Sequence, residues 1–245
     1  PFRPVFSVHS SGFHVNFGAG DPNGENNYTD TNGRGGFKFE PPAGHLALCT
    51  ANMKDADYAP IGPNSAAGTP DKHFDTVLYA GDSKDGRIGG LNFQPDFVWI
   101  KGRDYSDNHQ IFDSLRGVGK TLHADSTAVE LTNNQYGYLD DFTADGFSIK
   151  GGTHSNAHYA VKYTDKEYVA WCWKAGNETK INNDGDIQTT VSVNQDAGFS
   201  IIRYTQGTNP AGTTFGHGLG KVPAFFIHRS RNQSYNWDVY HKDLS

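Results

Sequence analysis

The sequence predicts an all-β protein of tandem β-sandwich modules, concanavalin-like or jelly-roll-like, with little helix. Three observations carry that expectation. The 29 glycines and 13% aromatic content, set against one methionine at Met53, favour strands joined by tight turns. The apolar runs are short, rich in aromatic and β-branched residues, and bounded by Gly, Pro, Asn and Asp. The third observation is self-similarity, which identifies repeat architectures before any motif does.

Phe74-Asp75-Thr76-Val77-Leu78-Tyr79 returns as Phe199-Ser200-Ile201-Ile202-Arg203-Tyr204. Gly90-Leu91, Pro95 and Phe97 return as Gly218-Leu219, Pro223 and Phe225, and Ile111-Phe112 returns as Val239-Tyr240. Aromatic, glycine and proline positions therefore recur in order over about forty residues, which chance rarely delivers. Each copy opens on a short strand, Phe74–Tyr79 or Phe199–Tyr204. A Gly-rich turn or loop follows, 81–90 or 207–218. A proline then stands at the entrance of Phe97–Ile100 or Phe225–Ile227. Both of these runs are apolar on both faces and are expected to be central strands covered on two sides.

Between the copies, Tyr168-Val169-Ala170-Trp171-Cys172-Trp173-Lys174 alternates. Val169, Trp171 and Trp173 point one way and Tyr168, Ala170 and Cys172 the other. Aromatics this dense can form a sheet core or a sugar platform, and apolar groups on both faces favour core. Asn182-Asn183-Asp184-Gly185-Asp186 reads as a turn into a strand over Ile187–Val193. Upstream, residues 54–73 carry Pro60, Pro63 and Pro70 with Gly62 and Gly68 and read as a linker. The expected organisation is a first module at 1–53, this linker, a first β-rich copy at 74–197 and the start of a second at 198–245. The opening Pro1-Phe2-Arg3-Pro4-Val5-Phe6 reads as mid-domain, so the chain is expected to be part of a longer protein. A further Tyr-Val-Ala-Trp-Cys-Trp strand is then expected beyond residue 245.

The balance of 21 Lys+Arg against 27 Asp+Glu, without a basic run, argues against nucleic-acid binding. No stretch reaches the apolar length of a membrane span. Cys49 and Cys172 fall in different modules and apolar settings, which fits two buried free thiols.

Val15-Asn16-Phe17-Gly18, Phe37-Lys38-Phe39 and the run from Pro41-Pro42-Ala43-Gly44-His45 through Asn52 resemble the end of a SPRY-like domain, a concanavalin-like β-sandwich. Gly90–Lys101, Phe112-Asp113-Ser114-Leu115-Arg116-Gly117, Tyr168–Gly176 and Gly216–Pro223 resemble an uncharacterised β-rich domain that follows it in phage proteins. The resemblance implies a non-enzymatic virion protein of the tail or tail fibre, with loops presented to the host surface. It transfers no catalytic or binding residue. The implied partners are other virion proteins, further copies in a homo-oligomer such as a trimer, and a host-surface glycan. The alternatives are a bacterial cell-surface adhesin that binds carbohydrate and a polysaccharide-degrading enzyme domain.

Gly117-Val118-Gly119-Lys120-Thr121 has the end of a phosphate-binding loop but not its first glycine, since Ser114 stands there, and a poor helix former follows. His154 and His158 are four apart, yet glycine, serine and asparagine around them oppose a helix and no Glu completes a zinc motif. Asp113, Asp140, Asp141 and Glu167 are carboxylates without the paired arrangement that glycoside hydrolysis needs. Asp184 and Asp186 are the weak calcium candidates, with turn chemistry as the competing explanation; no other cofactor is expected. The ligand-binding candidates are the loop aromatics Tyr105, Tyr136, Tyr138 and Tyr235, because flat rings beside amides suit sugars or protein partners. The competing reading has such rings capping the sheet ends, and Trp237 is assigned to the core.

Overall fold

The computed structural model describes residues 27–37, 39–45, 68–205, 207 and 210–244. The chain divides into two units, Pro1–Gly68 and Thr69–Ser245. The division falls inside the stretch read as a linker. In the first unit, Tyr28 and Phe37 form an antiparallel bridge. It is closed by a turn in which Asp30 Oδ1 accepts from the N–H groups of Asn32 and Arg34, both at 2.9 Å. Much of what suggests a SPRY-like end, Val15–Gly18, Lys38 and Leu46–Asn52, lies outside the described residues, as does Cys49.

The second unit is all-β and built from antiparallel sheets. Its one helical element among the described residues is a 3₁₀ turn, Pro70–Lys72. Among those residues fourteen strands follow: β1 (Phe74–Ala80), β2 (Gly86–Gly89), β3 (Phe97–Gly102), β4 (Gln110–Asp113), β5 (Lys120–His123), β6 (Leu131–Thr132), β7 (Tyr138–Thr143), β8 (Gly146–Lys150), β9 (Glu167–Trp173), β10 (Lys180–Asn182), β11 (Thr189–Asn194), β12 (Phe199–Tyr204), β13 (Phe225–His228) and β14 (Asp238–His241). The main sheet runs β1-β9-β3-β4-β5-β6, and a three-stranded sheet runs β2-β8-β7. Two smaller sheets are β10-β11-β12 and β13-β14.

β9 holds the main sheet together. It is paired on both sides, so Trp173 faces Phe74 and Phe97, Trp171 faces Thr76 and Trp99, and Ala170 faces Val77 and Ile100. The alternation expected from the sequence sorts its two faces. Tyr168, Ala170 and Cys172 are fully buried. They join Val98, Ile100 and Phe112 in one core with Ile88, Leu139, Phe147 and Ile149 of the facing three-stranded sheet. This is sandwich packing, in which the inward residues of two sheets interdigitate. Burial drives the Cys172 thiol up to about 12, so it sits in the core as a small protonated hydrophobe. On the opposite face of β9, Val169 is buried and Trp171 and Trp173 are half-buried in an aromatic row, with Trp173 against Phe74 at 4.8 Å and Phe97 at 5.3 Å.

The stretch 81–90, read as a loop, contains β2, whose Ile88 side chain enters the core. Lys120 and Thr121 open a strand, not the helix that a phosphate-binding loop requires. Gly119 is left-handed at φ +72°, and a Cβ there would collide with the Asn133 side chain. Its glycine character therefore serves the turn into β5.

The internal repeat is visible in strand register. β3 pairs β4 through Phe97↔Asp113, Val98↔Phe112, Trp99↔Ile111 and Ile100↔Gln110. β13 pairs β14 through the equivalent positions, Phe225↔His241, Phe226↔Tyr240, Ile227↔Val239 and His228↔Asp238. The surroundings differ. β3 is central, as expected, but β13 is not: its sheet has two strands, and Phe225 and Ile227 are 55% and 37% exposed. The strand and the opposing sheet that bury β3 have no counterpart around β13 among the described residues.

The second copy docks on the first. Phe199 stacks on Trp173 at 6.2 Å and meets Phe97 edge-on at 6.1 Å. Arg229, 8% exposed, donates to the carbonyls of His123, Ser126 and Ala128, and Trp237 Nε1 donates to the His123 carbonyl at 2.9 Å. Trp237, assigned to the core, is thus a half-buried contact between copies. Arg231 grips Glu130 through both carboxylate oxygens at 2.8 and 2.6 Å, and Arg116 joins Glu130 to Asp113.

Burial alone would raise the Glu130 carboxyl, but hydrogen bonding from Arg231 and the charges of Arg116 and Arg231 outweigh it and hold the group below its ordinary 4.5. A depressed carboxylate contributes stability at neutral pH that disappears as pH falls through its folded-state value. Residues 225–241 are therefore expected to exchange amide hydrogens faster below pH 4.5 than at pH 7, relative to β3. Glu130→Gln should produce the same acceleration at pH 7. Equal protection in the variant and the parent would remove the clamp from the docking.

Candidate functional site

Two features of the second unit have the geometry of a binding site. The first is a cavity of ≈410 Å³ at the β4–β5 end of the main sheet. It is lined by Asp107 and Asn108 from the β3–β4 loop, Gln110 of β4, His123 of β5, Leu131 and Thr132 of β6, the turn Asn133–Tyr136, and Ala160. Such a volume is within the range of about 300–1,000 Å³ typical of small-molecule sites.

Local chemistry shapes the wall. Asn133 adopts φ +49°, a conformation asparagine tolerates better than most residues. Asn134 Oδ1 accepts from Tyr136 N–H at 3.1 Å, and the turn is tied to the 154–160 loop by His154 N–H to the Gln135 carbonyl at 3.0 Å and Ala160 N–H to the Tyr136 carbonyl at 2.9 Å. At the floor, Gln110 and His123 are cross-strand partners. His123 Nε2 lies 3.1 Å from Gln110 Oε1, and its Nδ1 lies 3.3 Å from Asn108 Nδ2. Gln110 Nε2 donates to the Asn108 carbonyl at 3.0 Å. Burial, with the nearby Arg229 charge, outweighs Asp125 and lowers the His123 pKa. The neutral tautomer protonated at Nε2 satisfies both ring contacts.

Asp107 is different. Its Oδ2 is buried without a hydrogen-bond partner in the protein. Burial raises its pKa above the ordinary carboxylate value, against an opposing hydrogen bond from Asn108 and the Lys101 charge. The lining thus offers five amide side chains, one aromatic ring and one carboxylate, and no Lys or Arg. Amides and a carboxylate suit ligand hydroxyls, and the absence of cations from the lining disfavours an anionic ligand.

The second feature is the half-buried aromatic face of the main sheet. Trp99 packs edge-on against Trp171 at 6.0 Å, and its Nε1 donates to His109 Nδ1 at 2.9 Å. Phe74 and Leu78 on this face are 40% and 61% exposed. Phe199 covers its Trp173 end.

The four tyrosines proposed from sequence are not gathered into one site. Tyr105 is a packing residue: its hydroxyl meets that of Tyr168 at 2.8 Å, and both converge on the Tyr159 carbonyl. Tyr138 lies in β7 and packs against the core. Tyr136 also packs on the core, stands 4.5 Å from the His154 ring, and lines the cavity. Tyr235 is 60% exposed. The expectation of exposed loop rings is therefore corrected for Tyr105, Tyr136 and Tyr138, which are half-buried against the core.

The Asp186 carboxylate is occupied by Thr214, whose N–H and Oγ1 donate to Oδ2 at 2.9 and 2.7 Å. Asp184 N–H donates to Asn182 Oδ1 at 2.6 Å, an ordinary turn contact. No group of three or more His, Cys, Asp or Glu side chains is positioned to hold a metal among the described residues. His158 is bonded to Asp85 at 2.8 Å, and Asp113 is held by Arg116. Sequence reasoning missed Asp107, Asn108, Asn133 and Asn134, which look like ordinary turn residues.

Residues 69–245 match a family model described as a domain of unknown function (DUF7483). The match begins where the second unit begins and runs through both copies of the repeat. No curated protein and no solved structure matches the chain.

Proposed function

This chain belongs to the DUF7483 family, and from that premise we propose that it is a non-catalytic recognition module of a virion tail or tail-fibre protein whose cavity takes a neutral, hydroxyl-rich ligand such as a host-surface saccharide. The observation that carries the ligand class is the lining: five amides and Tyr136 around Asp107, whose buried carboxylate oxygen has no protein donor. A sugar hydroxyl would supply that donor. Asp107 is the one carboxylate in the lining, whereas glycoside hydrolysis uses a pair, and this favours binding over cleavage. The tail assignment rests on the sequence resemblance.

A glycan array probed with the chain, followed by calorimetry on the best neutral ligand, tests the ligand class. Asp107→Asn keeps the side-chain shape but replaces the carboxylate acceptor, and affinity is expected to fall at least tenfold, or about 1.4 kcal/mol. No binding to any neutral saccharide, or equal affinity in the variant, would refute the reading. Antibody labelling of distal tail fibres on purified particles tests the location; labelling of a bacterial envelope instead would favour the adhesin alternative.

A further inference from the structure

We propose that the outer edge of β13 is a strand-acceptor site whose occupant is a strand of the β9 pattern, supplied by a further copy of this repeat. The proposal rests on the repeat and is independent of the cavity.

The first copy shows what the second lacks among the described residues. β3 is paired with β4 on one side and β9 on the other, where Phe97, Val98, Trp99 and Ile100 face Trp173, Cys172, Trp171 and Ala170. β13 repeats the β4-side register residue for residue on β14. No strand pairs with its other edge among the described residues. The side chains agree with the backbone. Val98, Ile111 and Phe112 are at most 2% exposed, whereas their equivalents Phe226, Val239 and Tyr240 are 40–56% exposed. An open edge with apolar groups on both faces invites strand addition, in which backbone hydrogen bonds give affinity and alternate side chains give selectivity.

The register specifies the occupant. Two tryptophans, two positions apart, would face Phe225 and Ile227, with small residues facing Phe226 and His228. One contact must open for the strand to enter. Tyr204, the equivalent of Tyr79, has its hydroxyl 2.7 Å from His228 Nε2 and its ring stacked on the His228 imidazole at 5.7 Å. In the first copy, Tyr79 stacks instead on Tyr168 of β9 at 5.2 Å. The entering strand would bring an equivalent tyrosine.

The probe is a synthetic peptide spanning residues 165–175 with serine at the position of Cys172, titrated into the whole chain and followed by amide hydrogen exchange. At saturation, exchange over 225–228 is expected to slow at least tenfold while β3 is unchanged, and a scrambled peptide should have no effect. Phe225→Asp with Ile227→Asp should weaken binding at least tenfold; both residues are exposed, so the fold is not at risk. Asp107→Asn should leave peptide binding unaltered, which separates this inference from the saccharide reading. Absence of protection over 225–228, equal protection by the scrambled peptide, or self-association of the free chain through β13 would each overturn it.

Discussion

Phe147→Ala is expected to lower the unfolding free energy by about 3–5 kcal/mol, the range for removing a fully buried phenylalanine. Phe147 is 0% exposed in β8, which pairs with both β2 and β7, and its ring meets Tyr79 of the opposite sheet edge-on at 6.3 Å. Truncation removes contacts from both layers at once, and the paired strands on either side restrict collapse into the void. Urea unfolding followed by circular dichroism should show a lower midpoint with an unchanged slope. A loss below about 1 kcal/mol would mean that the two sheets are less closely packed than described.

Asp96→Ala should be comparably damaging, at about 3 kcal/mol, for an electrostatic reason. Asp96 is 1% exposed and accepts three hydrogen bonds: Ser114 Oγ at 2.6 Å on one oxygen, and the N–H groups of Ala175 and Asn177 at 2.8 and 3.1 Å on the other. Its side chain thereby pins the end of β4 and the chain leaving β9 to the entrance of β3. Alanine abandons three donors, two of them backbone amides, in a largely water-free place. The measurement is again the urea midpoint, with hydrogen exchange at Ala175 and Asn177 as a local readout. Unchanged protection at both amides would show that other acceptors replace the carboxylate.

The all-β class and the sorting of β9 into two faces were legible because each is a local pattern. So was the shared register of the β3–β4 and β13–β14 hairpins, through the spacing that the repeat preserves. The sheet order was not legible. β9 inserts between β1 and β3, and nothing in Phe74–Tyr79 or Phe97–Ile100 names a strand so far along the chain. β2 was hidden in a glycine-rich stretch whose one buried anchor is Ile88. The cavity escaped notice because Asn133 and Asn134 serve a turn and a wall at once, and only the turn has a sequence signature. Tyr105 misled for the converse reason: its neighbours Asp104, Ser106 and Asp107 look solvated, while its hydroxyl reaches the Tyr159 carbonyl across the fold.

The placement of β9 also has a kinetic consequence. β1 and β3 gain their shared partner only once residues 167–173 are available, so on a ribosome the main sheet stays open while most of the preceding domain is being made. Until then Phe74, Val77 and Leu78 have no strand beside them. Sheets closed by such distant pairings fold slowly and expose unpaired edges while they wait. Synthesis rate and chaperone supply, more than final stability, are then expected to govern how much of this protein reaches its native state.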